Sequence, residues 1–250
     1  MELKNAFCLV SISPVRLAAD DGSEIITQLL FGELIEVHDL DAPWAKIRTI
    51  ADGYSGFIDH KHLAYLTPKE ARRWSDGLSY LKERERTVLT PWGKQRICRG
   101  SFVPENETTF SIGNHNFELQ SYTETPCKTI LEFAEDYLNT PYLWGGKSPF
   151  GIDCSGITQV IYRFFGWNLP RDAFEQIDHG QEVDYNELQA GDLAYFKNKT
   201  GKVTHVGILD GTGGIIHASG HVRRDLFTAD GIFREDIESL THPLFIIKRL

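Results

Sequence analysis

Gly151-Ile152-Asp153-Cys154-Ser155-Gly156-Ile157-Thr158-Gln159-Val160-Ile161-Tyr162-Arg163-Phe164-Phe165-Gly166 joins a reactive residue type to the periodicity that decides how it is presented. From Ser155 onward, Ile157, Val160, Ile161, Phe164 and Phe165 fall at i, i+3, i+4, i+7 and i+8, one face of an amphipathic helix that Gly166 closes. Cys154 stands at the start of that helix, after a turn rich in glycine (Gly145, Gly146, Gly151). Unsatisfied N–H groups and the positive end of the macrodipole meet a thiol there, and both favour the nucleophilic thiolate. A free cysteine is as often a small core residue, so position alone leaves both readings open.

Downstream, Asp192-Leu193-Ala194-Tyr195-Phe196, His205-Val206-Gly207-Ile208-Leu209 and Gly214-Ile215-Ile216-His217-Ala218 read as strands. Upstream, Thr125-Pro126 reads as a helix start, Ile130, Phe133, Ala134, Tyr137 and Leu138 keep helical spacing, and Thr140-Pro141 ends the helix. Helices first and strands later predict an α+β domain with an antiparallel sheet over residues 126–250. His205 and His217 flank the turn Asp210-Gly211-Thr212-Gly213-Gly214. A loop centred on Gly211 would set the two histidines directly opposite one another, with Cβ atoms about 4.5–5.5 Å apart. Side by side they suit a general base and the group that orients it. With Cys154 they make the nucleophile, base and orienter of papain-like peptidases. Paired histidines can also bind zinc, but no third ligand has a suggestive spacing, and no metal or cofactor is expected.

The chain has 250 residues and a net charge of −9, with 41% hydrophobic and 12% aromatic residues. That composition fits a folded protein of one large or two to three small domains. It argues against a chain that coats nucleic acid, and no apolar run is long enough for a membrane span. Cys8, Cys98, Cys127 and Cys154 are scattered without a CxxC pair, which suggests neither a zinc site nor a disulfide framework. Ala6 to Ile12 is apolar, but Glu2 offsets Lys4 and Pro14 and Arg16 follow at once, so it reads as a first strand rather than a signal peptide, and a cytoplasmic location is expected. Residues 1–66 carry short apolar segments (34–38, 44–48, 56–59) with turn residues between them, the pattern of a small β-barrel. Residues 67–85 are charged and helix-compatible, and read as a solvated helix or linker. From Thr87 to Leu119 short β-like segments return, so residues 67–125 are expected to hold that helix and a second small β-subdomain. Oligomeric state is not legible.

Residues 5–66, with Phe31-Gly32-Glu33, Trp44 and Asp52-Gly53-Tyr54-Ser55-Gly56-Phe57, resemble a bacterial SH3-like domain. Pro141-Tyr142-Leu143-Trp144-Gly145-Gly146, Gly151-Ile152-Asp153-Cys154-Ser155-Gly156, Leu169-Pro170-Arg171-Asp172, Gly191-Asp192-Leu193 and His205-Val206-Gly207-Ile208 stand in the order of the NlpC family of bacterial cysteine peptidases. The resemblance implies a papain-like catalytic domain behind one or two SH3-like barrels. It also implies a γ-D-glutamyl-L-diamino acid endopeptidase acting on peptidoglycan-derived peptides with a free N-terminal L-Ala. By this resemblance Cys154 would be the nucleophile, His205 the base, His217 its orienter and Tyr142 an oxyanion donor. Asp153 would reach the substrate amine, Ser155 the D-Glu carboxylate, and Trp144 would line the cleft. Glu33 and Tyr54 would hold the free amine from the SH3-like side. The family often has Ser after Leu-Pro-Arg-Asp, where this chain has Ala173, so one hydrogen bond to a substrate carboxylate is lost. An amidase cutting the sugar–L-Ala bond and a silent wall-peptide binding module are the alternative readings.

Overall fold

The computed structural model describes residues 4–123 and 127–250. The expected helix start at Thr125-Pro126 lies outside the described residues. The chain divides into two compact units, one running to Pro126 and including Lys147–Pro149, the other made of Cys127–Gly146 and Phe150–Leu250.

In the first unit, strands Lys4–Cys8, Ile12–Arg16, Ile25–Leu30, Leu34–Asp41, Trp44–Thr49, Ser55–Asp59 and Leu63–Leu66 build one antiparallel seven-stranded sheet. Trp44–Thr49 has the required period of two: Ala45, Ile47 and Thr49 are buried while Lys46 and Arg48 face solvent. The inward positions meet in a core of Ala6, Val15, Leu29, Ile35, Val37, Ile47 and Ile58.

The charged stretch after residue 66 is helical only over Pro68–Ser75. Thr67 and Glu70 form a reciprocal capping box, and Pro68 sits where its missing N–H costs nothing. This helix is not simply solvated: Ala71 and Trp74 are buried, and Trp74 Nε1 donates to the Gly32 carbonyl at 2.8 Å. Gly77, at φ +80°, turns the chain out of the helix, and Leu81 to Arg84 do not resume it. The β-like segments that follow form two sheets within this same unit. One is four-stranded (Glu85–Thr90, Gly93–Cys98, Thr109–Ile112, His115–Leu119); the other pairs Leu78–Tyr80 with Phe102–Pro104. One core cluster holds Phe7 and Phe31 with Trp74, Val88, Ile97, Phe110 and Phe117, so residues on both sides of position 66 share a core.

In the second unit, Thr129 caps the helix Ile130–Asp136, and Asp153 caps the helix Cys154–Arg163, whose residues are all buried. A seven-stranded antiparallel sheet follows, with the expected strands as Leu193–Lys197, Val203–Leu209 and Gly214–Ser219. Four further strands, Gln181–Glu182, His221–Thr228, Gly231–Arg234 and Ser239–Arg249, are not legible in the sequence. The last of them pairs both with Leu193–Lys197 and with Gly231–Arg234, so the sheet closes on itself. Its two faces bury different sets. Tyr195, Val206, Ile208 and Ile216 pack with the helix residues Ile157 and Ile161. Ala194, Phe196, Leu209, Ile215 and Ile247 pack with Phe227 and Ile232. His205 and His217 have the parity of Leu209 and Ile215, on this second face.

Candidate active site

The nucleophile helix begins where two glycines let backbones meet. A Cβ on Gly156 would lie 2.2 Å from the Gly146 carbonyl oxygen, so only glycine permits this approach. Asp153 Oδ1 accepts from the Gly156 N–H at 2.7 Å, and Oδ2 from the Gly145 N–H at 2.8 Å. Arg171, 1% exposed, completes the arrangement with a two-pronged pair to Asp153 at 3.0 and 2.6 Å and a bond to Ser155 Oγ at 2.9 Å. Asp153 therefore spends its lone pairs on the helix cap, the glycine turn and Arg171. Arg171 stands in the Leu169-Pro170-Arg171-Asp172 motif, and nothing in the sequence alone gives it this role.

Cys154 is 6% exposed, and its Sγ lies 3.9 Å from the Thr204 carbonyl oxygen, immediately before His205. Burial pushes the thiol up to about 12, and the Asp153 charge adds to this. Backbone N–H groups of Val206 and Ser155 and the Arg171 charge pull the other way without prevailing. The helix terminus alone would favour thiolate, but the resting side chain is a thiol because burial is the larger effect.

His205 is also nearly buried, and burial holds its pKa well below the usual histidine value, with His217 and His242 pushing the same way. The base is thus neutral. His205 Nε2 lies 2.8 Å from His217 Nδ1, and His217 Nε2 lies 2.9 Å from Asp225 Oδ2. Burial raises the Asp225 pKa, but hydrogen bonds from His217 and Arg223 outweigh it and hold the carboxyl at about 2, so it is ionised. Burial also keeps His217 neutral against the pull of Asp225. These charge states assign every proton in the chain of contacts. Asp225 accepts from His217 Nε2–H, His217 Nδ1 accepts from His205 Nε2–H, and His205 Nδ1 is left bare as the proton acceptor.

The register corrects one expectation. His217 stands opposite Gly207, not opposite His205, because the hairpin turn is centred on Thr212. Asp210 Oδ1 accepts from the N–H groups of Thr212 and Gly214, each at 2.8 Å, and Asp210 N–H donates to the Gly214 carbonyl at 2.9 Å, which fixes that centre. A shift of two residues preserves the face, so the histidines still meet, diagonally.

Tyr142 is held by its N–H donating to the Gly220 carbonyl at 3.0 Å. Burial raises its phenol, and the Asp153 charge raises it further, so it keeps its proton and can donate. Trp144 is 59% exposed. Asp225 and His242 were both missed. The strand carrying Asp225 reads as Arg223-Arg224-Asp225, too charged to suggest a buried edge, and Pro243 argues against a strand at His242. In the first unit, Glu33 is fully buried; it accepts from the Leu30 N–H at 3.1 Å and lies 3.5 Å from the Lys147 ammonium. Tyr54 is half-buried, its N–H donating to Thr49 Oγ1 at 2.8 Å.

Residues 139–240 match the NlpC/P60 family, and residues 15–63 match the bacterial dipeptidyl-peptidase Sh3 domain. The γ-D-glutamyl-L-lysine dipeptidyl-peptidase of Bacillus subtilis (strain 168) is 30% identical over 224 residues, covering 81% of this chain and 75% of that protein. The protein of the same name from Bacillus cereus (strain ATCC 10987 / NRS 248) is 28% identical over 243 residues, covering 81% of this chain and 70% of its own length. The crystal structure of an NlpC/P60 family protein from Bacillus cereus ATCC 10987 shares the fold, with a TM-score of 0.79 at 21% identity over 98% of this chain and 99% of that one. By its sequence and its fold, this chain belongs to the NlpC/P60 family of peptidases.

Proposed function

We propose that this cysteine peptidase hydrolyses the bond between the γ-carboxyl of D-Glu and a diamino acid in peptidoglycan stem peptides, releasing L-Ala-γ-D-Glu. The observation that carries the reading is the ordered relay from His205 through His217 to Asp225, together with the Cys154 thiol, whose Sγ lies 3.9 Å from the carbonyl oxygen of Thr204, the residue before His205. His205 Nδ1 takes the thiol proton as the sulfur attacks the γ-carbonyl. The oxyanion that forms is met by the Cys154 backbone N–H at the helix start and by the Tyr142 hydroxyl. His205 then gives its proton to the leaving amine, and water, deprotonated by the same nitrogen, hydrolyses the thioester. The bond assignment and the free N-terminus are supported by relatives named dipeptidyl-peptidases, enzymes that release two residues from an open N-terminus.

Digests of synthetic L-Ala-γ-D-Glu-L-Lys and L-Ala-γ-D-Glu-meso-diaminopimelate, each beside its N-acetylated twin, test the proposal by mass spectrometry. Release of L-Ala-γ-D-Glu from the free peptides alone supports it. Equal cleavage of the acetylated twins removes the free-amine requirement. No cleavage of any, with turnover of glycan-linked peptides, favours the amidase reading.

A further inference from the structure

The relay has a neighbour with no part in it. His242, on the last strand of the closed sheet, lays its ring on that of His205, with centroids 4.4 Å apart and planes 27° apart. It meets His217 and Phe196 edge-on, at 5.6 and 5.9 Å. Its Nδ1 lies 2.9 Å from Thr241 Oγ1, so the ring is held from its own strand as well as by its neighbours. The charged or titratable groups acting on it are His217, Asp225, Arg234 and His205. Burial pushes its pKa down to about 4, the His217 and Arg234 charges add to this, and Asp225 opposes them.

We propose that His242 is a positioning residue for the general base: its ring face stabilises the imidazolium that His205 becomes when it accepts the Cys154 proton. The step moves one proton from Sγ to His205 Nδ1 and leaves the electron pair on sulfur. Charge separation of this kind is unfavourable in a buried site, since neither ion has water beside it. An aromatic face is electron-rich, and a cation lying over one within about 6 Å is attracted to it. His242 supplies such a face at stacking distance and carries no charge of its own near neutral pH. The inference rests on the proposed cysteine chemistry but not on the choice of peptide.

Site-resolved alkylation of Cys154 by iodoacetamide, followed from pH 4 to 8, tests the proposal without any peptide substrate. The reagent reads the fraction of thiolate–imidazolium pair. In His242→Leu the rate on the neutral plateau should fall about 5-fold. Below the pH at which His205 takes up a proton in both proteins, only the thiol ionises and the two profiles should coincide; where His205 is neutral in both, the ratio of rates should hold constant. The acidic midpoint then moves to lower pH. His242→Phe, which keeps an aromatic face and removes the ring nitrogens, should stay within about 2-fold of the parent. A Leu profile matching the parent on the neutral plateau, or still lowered below the pH at which His205 is protonated in both proteins, would overturn the proposal. So would a folded Phe variant as impaired as Leu, since that would assign the effect to a ring nitrogen. If the peptide digests fail while these profiles behave as described, the substrate assignment is wrong and the role of His242 stands.

Discussion

His217 sits opposite Gly207, and the missing side chain at that position opens the space that brings its Nδ1 within 2.8 Å of His205 Nε2. A Cβ on Gly207 would stand 3.0 Å from the His217 Cβ and 2.7 Å from Ile215 Cδ1. The base and its orienter are therefore a diagonal pair, made possible by the residue between them. Gly207→Ala should displace His217 and lower kcat by about 10-fold or more, a fraction of the 10²–10⁴ that positioned acid–base groups supply. Thermal unfolding should move by only a few degrees. An Ala variant with unchanged kcat would show that the diagonal geometry is not needed.

Asp225 fixes the tautomer of both histidines. Asp225→Asn keeps the shape and can still accept from His217 Nε2–H, but it removes the negative charge that stabilises the developing imidazolium. The expected result is a fall in kcat of about 10-fold or more with KM within about 2-fold, because the interaction is made in the transition state and not with bound substrate. Steady-state kinetics on the cleaved tripeptide decide it. A rise in KM at constant kcat would instead make Asp225 a substrate-binding residue.

The buried pair of Arg171 and Asp153 should be intolerant of a lysine. A lysine ammonium cannot reach both carboxylate oxygens and Ser155 Oγ as the guanidinium does, at 3.0, 2.6 and 2.9 Å. Arg171→Lys is expected to cost about 2 kcal/mol or more in urea unfolding, since breaking a buried pair strands the remaining charge. Equal stability of parent and variant would show that Asp153 is held sufficiently by the Gly145 and Gly156 N–H groups.

Acid should destabilise the fold earlier than carboxylates alone would allow. His205, His217 and His242 all have folded pKa values below the usual 6.5, His242 at about 4. The unfolded chain therefore binds more protons than the folded one below 6.5, and stability falls as pH drops. Asp225, depressed from 3.8 to about 2, loses its contribution only below 3.8, and Glu70, lowered from 4.5, only around and below 4.5, so the loss between 6.5 and 5.5 belongs to the histidines. Urea midpoints at pH 7.5, 5.5 and 4.5 should decrease in that order. His242→Phe, with one such group fewer, should show a shallower decrease. Midpoints that stay level would contradict the assigned neutral histidines.

Much of the site was legible because it depends on local pattern. Cys154 was placed by helical spacing and a glycine turn, and His205 and His217 by strand parity around one hairpin. What escaped depends on contacts between distant strands. The turn centre moved from Gly211 to Thr212 because the Asp210 side chain captures two N–H groups, which loop length alone does not reveal. Asp225 and His242 lie on strands whose charges and proline hide a buried face, and only closure of the sheet brings them to His205 and His217. The thiolate expected from the helix terminus lost to burial, and burial is a property of the whole fold. The charged run after residue 66 looked solvated because the sequence alone does not show Trp74 reaching the Gly32 carbonyl.

The most direct test of the account is intact-protein mass spectrometry of enzyme mixed with L-Ala-γ-D-Glu-L-Lys and quenched in acid during the first turnovers. A transient adduct of one L-Ala-γ-D-Glu unit less water, mapped to Cys154 and absent from Cys154→Ala, is expected. Turnover without any adduct, or an adduct that persists in Cys154→Ala, would contradict it.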